Sequence, residues 1–441
     1  MPSRLRFSSK SGQHLTLNEL RKAYISYLIA KKMRGTFLFR LDNIHQIEEN
    51  QKDIELFALE DLNWLGLIAD ESPLNPNPNY SPYVQNERLD IYHRYIESLL
   101  AMGKAYKKIL PKEKGNEINK IRSAIYYKMS SIGDNEINDL RIGKIAHDKL
   151  NLNDWIIVNG NGSPTAEFSA MVDDHLMNIT HVVFEIDDLP NLGRYIALYQ
   201  AFNWTLPAFI HLPGIRSNYA NEEDILLKLQ NEGYLSEAIC SYLYQLDIGE
   251  ETGNHFESLD EMINDFEIKK IHRNHQLFDL KTLRRINASF IKKMKTADYV
   301  SFIRTFVRNF FSETYSDDYL LKLAQVYKQQ INYGLEIEEF LAPFLLDVPD
   351  FSPREQQSIQ NRQSQSVIFA FKQSILNLED DFSNLSSEIC DLQIKIGISG
   401  KDFYRPIRLL LTRMEKGPEL EEIIKFLGKE ETIRRLSQDK D

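Results

Sequence analysis

R-F-S-S-K-S-G-Q-H-L-T-L-N, residues 6–18, decides the fold. Leu5 and Phe7 mark a short strand, a turn follows, and a helix is expected over 18–32. Leu20, Ala23, Tyr24, Tyr27 and Leu28 share one face of that helix. A strand, a turn and a helix N-terminus at the start of an α/β domain make a natural phosphate site, because unpaired amide N–H groups and the helix dipole both favour an anion.

Outward from this stretch, residues 1–105 read as α/β. A strand is expected at 36–41, a helix at 54–65, a proline- and asparagine-rich loop at 72–83, and a long helix at 87–102 that Gly103 stops. Residues 106–180 have β character, with strands at 124–129 and 155–158 and a turn at 159–164. Strands at 180–184 and 209–212, flanking a helix at 192–202, return the chain to the first sheet. Helices dominate from Asp224 onward. Near the end, Leu420, Ile423, Ile424 and Leu427 form one helix face, and Gly428 separates a shorter helix running to Leu436.

At 441 residues the chain has room for two or more domains with well-buried cores. Its 42% hydrophobic and 27% charged residues are ordinary for a soluble globular protein. It has no apolar run long enough to span a bilayer and no secretory-type leader in M-P-S-R-L-R-F, so no membrane association is expected. Cys240 and Cys390 lie far apart, which argues against a disulfide framework and a cysteine zinc site, and for a reducing, cytoplasmic setting. The net charge of −11 argues against indiscriminate nucleic-acid binding but leaves room for a local basic groove.

Several segments, taken in order, carry a family likeness. They include E-D-L-N-W-L-G-L at 60–67, G-S-P-T-A-E-F at 162–168 and V-D-D-H-L-M-N-I-T-H-V-V at 172–183. E-G-Y-L-S-E-A-I at 232–239, F-D-L-K-T-L at 278–283 and Y-R-P-I-R-L-L-L-T at 404–412 continue the series. Together they resemble bacterial-type glutamyl-tRNA synthetases of class I, over nearly the whole chain. The resemblance implies a multidomain α/β plus all-α fold. A Rossmann catalytic domain at 1–105 and 181–223 would be interrupted by a shortened acceptor-stem insertion at 106–180. A helical stem-contact domain at 224–300 and an all-helical anticodon-binding region at 301–441 would follow. It also implies ATP, Mg2+, glutamate and tRNA as ligands, with no zinc here because the insertion lacks cysteine.

Laid on the family signatures, the chemistry changes where the scaffold persists. The two histidines expected at the helix start read Thr16 and Glu19, and the glycine between them reads Asn18. His14 lies close by and could substitute in a rebuilt turn. After H-L-P at 211–213, the lysine-rich loop motif falls on Arg216-Ser217-Asn218-Tyr219-Ala220, with Tyr219 in place of the second lysine. The arginine expected to hold the substrate's side-chain carboxylate is Phe184, and phenylalanine cannot make a bidentate pair with a carboxylate. Ala166 and Ala170 replace a tyrosine and a polar residue, while Asp42 stands for a longer carboxylate. Arg6, Ser8 and Arg194 remain as implied substrate contacts. Asp173, Asp174 and His175 are mainly structural in the family, and Asp187 and Asp188 would repel ATP unless magnesium intervened. Arg405, Arg408, Arg413 and Lys416 could meet tRNA backbone.

Four readings follow. The chain is a tRNA-binding relative with glutamate activation lost or strongly impaired, a pseudoenzyme by family standards. Alternatively, it is a divergent but active glutamate–tRNA ligase using Arg6, His14 and Arg216, an enzyme with another acyl substrate, or a shell that binds a protein partner.

Overall fold

The computed structural model describes residues 2–10, 12–44, 56–109, 123–130, 137–146, 149–217, 224–249, 256–307, 315–345, 351–378 and 382–437. The opening stretch folds as a strand, a turn and a helix: β1 (Arg4–Ser9) leads to α1 (Leu17–Lys32). β2 (Thr36–Leu41) then lies parallel to β1, with Leu5 opposite Phe37 and Ser8 opposite Arg40. Arg21, Ile25, Ser26 and Ile29 are buried as well as the expected face of α1, so this helix is covered on more than one side. α2 (Phe57–Trp64) begins later than the 54–65 span expected, since Leu56 is its cap, while residues 54 and 55 lie outside the described residues. α3 (Leu89–Ala101) follows a 3-10 turn at Gln85–Arg88, and Gly103 closes it at a φ of +65°, the left-handed region that glycine enters most readily.

Strands from residues 105–158 contribute to two different sheets. β3 (Ala105–Ile109), β4 (Ser123–Tyr127) and β7 (Trp155–Val158) form a three-stranded antiparallel sheet. β5 (Ile137–Asp139) and β6 (Gly143–Ile145), however, pair with each other and join the main sheet. Three-residue strands with polar centres, I-N-D and G-K-I, are too short to show an alternation. After α4 (Ala166–Leu176), β8 (His181–Glu185), α5 (Leu192–Ala201) and β9 (Ala208–Leu212) complete that sheet. Its order is β2-β1-β8-β9-β5-β6, parallel except for the β5–β6 pair. A two-residue pair, β10 (Ile215–Arg216) with β11 (Gln276–Leu277), brackets the helices α6 (Ile225–Glu232), α7 (Ser236–Ile248) and α8 (Leu259–Asp265).

The chain divides into two compact units, Met1–Gln230 with Ser236–Leu283, and Asn231–Leu235 with Arg284–Asp441. The division falls inside the 224–300 stretch expected as one stem-contact domain, and α9 (Leu280–Lys293) runs across it. The second unit is helical in its described residues. α10 (Thr296–Arg304), α11 (Asp317–Val326) and α12 (Ile337–Leu345) gather around Tyr299, Leu320, Tyr327 and Leu341. α13 (Pro353–Gln360), α14 (Arg362–Asn377), α15 (Leu385–Ile396), α16 (Lys401–Thr412) and α17 (Leu420–Ser437) enclose Val367, Phe371, Phe403 and Ile424. Gly428, at φ +74°, breaks α17 at the position where the sequence separates two helices.

Candidate functional site

In open α/β sheets, ligands bind beyond the carboxyl ends of the parallel strands. Here that edge is lined by the chain's own pairings. Thr16 caps α1 reciprocally with Glu19: the Glu19 amide donates to Thr16 Oγ1 at 3.3 Å, and the Thr16 amide donates to Glu19 Oε2 at 3.0 Å. The Thr16 hydroxyl also donates to Glu19 Oε2, at 2.7 Å. Asn18 Oδ1 accepts from the Ile215 amide at 2.9 Å, which ties the start of α1 to β10. His14 Nδ1 lies 3.0 Å from Asp61 Oδ1, and its ring stacks on Phe57 at 4.8 Å. Arg21 donates to Asp247 and to the Pro213 carbonyl, and Lys22 pairs with Glu185 at 2.9 Å. At this helix start the side chains present cap the helix themselves, and Glu19 sets a carboxylate there.

Behind this edge lies a buried ionic network. Arg6 makes a bidentate pair with Asp174, both bonds at 3.0 Å, and Arg40 Nη1 donates to the same carboxylate at 2.7 Å. Tyr195 adds a hydroxyl donor at 2.6 Å. Burial alone would raise the Asp174 carboxyl, but Arg6 and Arg40 outweigh it and hold the group below its usual range. Asp173 accepts from Arg88 Nε at 2.7 Å, Tyr92 at 2.7 Å and Gln85 at 3.2 Å. For Asp173 burial wins over Arg40 and Arg88, and its carboxyl is pushed up. Asp42, the shortened pocket carboxylate, is taken by Arg40 through bonds of 2.7 and 3.1 Å. His175 stands apart from both aspartates and stacks on Trp204 at 3.9 Å.

A cavity of about 300 Å³ opens beside this network. It brings together Arg6, Phe184, Ala170 and Asp188, four positions singled out in the sequence, with Glu167 and Tyr195, which were not. Glu167 follows Ala166 at the start of α4, and its Oε2 accepts from Arg194 Nη1 at 2.8 Å. Arg194 is thus a partner of a cavity carboxylate. Burial pushes the Glu167 carboxyl up despite Arg194. Phe184 faces the Arg6 guanidinium at 5.8 Å and packs edge-on to Tyr195 at 6.1 Å. Ser8 is half-buried at the end of β1. Nearby on β9, the buried His211 donates from Nδ1 to Asp139 on β5 at 2.8 Å, a pairing that becomes visible only once β5 is placed in the main sheet.

Arg216 is exposed on β10, and Tyr219 lies outside the described residues. Among the described residues no group of three potential metal ligands occurs, Cys240 and Cys390 are both free thiols, and no helix is long and apolar enough to cross a membrane. In the second unit the four basic residues do not form one open face. Arg405 pairs with Glu415, Arg408 is half-buried, Arg413 lies over the Phe351 ring at 3.5 Å, and Lys416 is exposed.

Residues 4–135 and 119–285 match the model for tRNA synthetases class I (E and Q), catalytic domain, and residues 295–439 match the anticodon binding domain. The chain therefore belongs to the class I tRNA synthetase family of the E and Q type. Within it, the chain is 30% identical over 474 residues to a glutamate–tRNA ligase of Mycoplasmopsis agalactiae, with 99% of each covered. It is 28% identical over 480 residues to the same enzyme of Geobacillus thermodenitrificans, covering 99% of this chain and 98% of that one. A crystal structure of a glutamate tRNA ligase from Elizabethkingia meningosepticum, in complex with its amino acid, superposes with a TM-score of 0.81 at 25% identity over 99% of both chains.

Proposed function

We propose that this chain is a glutamyl-tRNA synthetase-like protein that binds tRNA, with tRNA-Glu as the first candidate. In it, formation of glutamyl-adenylate is lost or strongly impaired. One observation carries the reading: Arg6, Arg21, Lys22, Arg40 and Arg194 each pair with a carboxylate of the chain itself. Adenylate formation needs positive charge or donors aimed at the α-phosphate as pyrophosphate leaves, and a cation to hold the substrate's side-chain carboxylate. Phe184 at the side-chain position and the Thr16–Glu19 cap at the helix start supply neither. A reducing, cytoplasmic setting suits the two free thiols.

Two assays test this. ATP–pyrophosphate exchange with glutamate and tRNA should run at least about a thousandfold below that of a glutamate–tRNA ligase relative, the scale of one lost oxyanion donor. Exchange at the relative's rate would make the chain a divergent active ligase. Filter binding should detect tRNA at low salt and weaken steeply as salt rises. A second reading, activation of another acyl group, is favoured by the apolar wall that Phe184 and Ala170 give the cavity.

A further inference from the structure

We propose that Arg141 and Arg273 form a binding site for a phosphate group, outside the cavity beside Phe184. Such a site goes beyond the proposed function and stands whether or not glutamate is activated. Among the described residues of the first unit, Arg4, Arg6, Arg21, Arg40, Arg88 and Arg194 are buried or half-buried, and each pairs with a carboxylate. Arg141 is half-buried too, yet its side chain meets main-chain oxygens instead. Its Nε donates to the His211 carbonyl, and its Nη1 donates to the His272 carbonyl at 3.1 Å. Carbonyl oxygens orient a guanidinium without cancelling its charge. Its Nη2 has no bond among the described residues and is not shut off from solvent.

The local fold explains why the nearby carboxylates do not pair with Arg141. Asp139, two residues earlier at the β5–β6 hairpin, spends Oδ1 on the Arg141 and Ile142 amides at 2.9 and 2.8 Å. Its Oδ2 accepts from the His211 amide at 3.0 Å and from His211 Nδ1 at 2.8 Å. Asp247 is taken by Arg21. Arg273 follows directly on His272, whose carbonyl Arg141 holds, so the two arginines share one patch of surface. Arg273 is exposed and makes no hydrogen bond or ion pair among the described residues. Burial pushes the Arg141 guanidinium below its usual range, Arg21 and Arg273 push the same way, and Asp139 and Asp247 only partly offset them. An anion beside Nη2 would favour the charged form that this crowding opposes. Two adjacent guanidiniums suit the double charge and several oxygens of a phosphate better than the single charge of a carboxylate. The hairpin carrying Arg141 stands beyond β9, with β8 and β9 between it and β1. A free phosphorylated compound and a nucleic-acid backbone would present the same oxygens to it.

Calorimetric titration of the full chain in magnesium-free, low-salt buffer tests this, with inorganic pyrophosphate as the probe and acetate as the single-charge comparison. Pyrophosphate should bind saturably, and acetate about tenfold or more weakly. Arg273→Gln, at an exposed position, should weaken pyrophosphate about tenfold, the scale of one lost hydrogen bond to a charged group. Arg141→Lys keeps the charge but loses the planar fork that holds both carbonyls, so it should weaken the probe as well. Arg94→Gln removes one exposed positive charge from α3 and should leave the affinity unchanged, which separates the site from the general field. tRNA then identifies the source of the phosphate. Displacement of pyrophosphate by tRNA, with tRNA binding weakened in Arg273→Gln, marks a nucleic-acid backbone; unaltered tRNA binding in that variant marks a free phosphorylated compound. A flat pyrophosphate titration, acetate binding as tight as pyrophosphate, or wild-type affinity in both Arg273→Gln and Arg141→Lys would overturn the site. A flat titration beside intact tRNA filter binding sinks this site alone, whereas pyrophosphate binding without any tRNA binding sinks the proposed function alone.

Discussion

In the first unit, Arg4, Arg6, Arg21, Arg40 and Arg88 are all buried, and each meets a carboxylate from a distant part of the chain or a neighbouring element. In the second, described ion pairs such as Arg304 with Asp317 and Lys322 with Asp318 are more open to solvent, while the core enclosed by α13–α17 is leucine, isoleucine, phenylalanine and valine. An apolar core tolerates small repacking, whereas a buried ionic core holds only while every partner is present. The difference bears on function. In the first unit, the buried positive charge of Arg6, Arg21 and Arg40 is fixed by the protein's own carboxylates.

The largest test of that contrast is Asp174→Asn. It leaves Arg6 buried with a neutral partner and Arg40 with Asp42 as its remaining close carboxylate, and should cost the first unit about 3–5 kcal/mol. Trp64, Trp155 and Trp204 are the chain's three tryptophans and all lie in the first unit, so fluorescence during denaturation reads that unit selectively. A loss under about 1 kcal/mol would mean that the network is not a cooperative support.

Acid gives the next effect. Burial opposes ionisation of Glu71, yet hydrogen bonds from Arg4, Tyr83 and Asn77 hold its carboxyl down at about 2. A depressed folded-state value means that the stabilisation is complete above the ordinary glutamate range and is lost as pH falls through it towards 2. At full strength it reaches about 3 kcal/mol. Fluorescence-monitored unfolding at steps from about pH 6 to about pH 2.5 should therefore show a steeper loss in the wild type than in Glu71→Gln.

The smallest effect belongs to the second unit. Hydrogen bonds from Arg434 and Arg435 also hold the Glu431 carboxyl at about 2, but its side chain keeps 31% of its surface in water. Solvent screening should keep the cost of Glu431→Gln below about 1 kcal/mol, measured by far-ultraviolet circular dichroism during thermal unfolding. A cost equal to that at Glu71 would erase the distinction between the units.

Much of the fold was legible in the sequence because its signals are local. The strand at Leu5 and Phe7, the amphipathic α1, Gly103 and Gly428 all act within a few residues of themselves. β5, β6, β10 and β11 were missed because two or three residues carry no period. The site divides in the same way. Phe184, Ala170 and Arg6 could be placed by resemblance, and the cavity does unite them. Glu167 escaped notice because its pairing with Arg194, 27 positions away, leaves no mark in the sequence. The pairing of Arg40 with Asp174 spans 134 positions, a distance at which sequence offers charge but no geometry.

Asp174 has one more consequence. Held on the same chain and already aligned, it acts as a resident competitor for Arg6, present at an effective concentration that a dissolved carboxylate cannot match. A free acid entering the first unit would have to evict it and strand its charge away from water. Asp174 thus works as a covalently tethered antagonist of any dissolved carboxylate that would pair with Arg6.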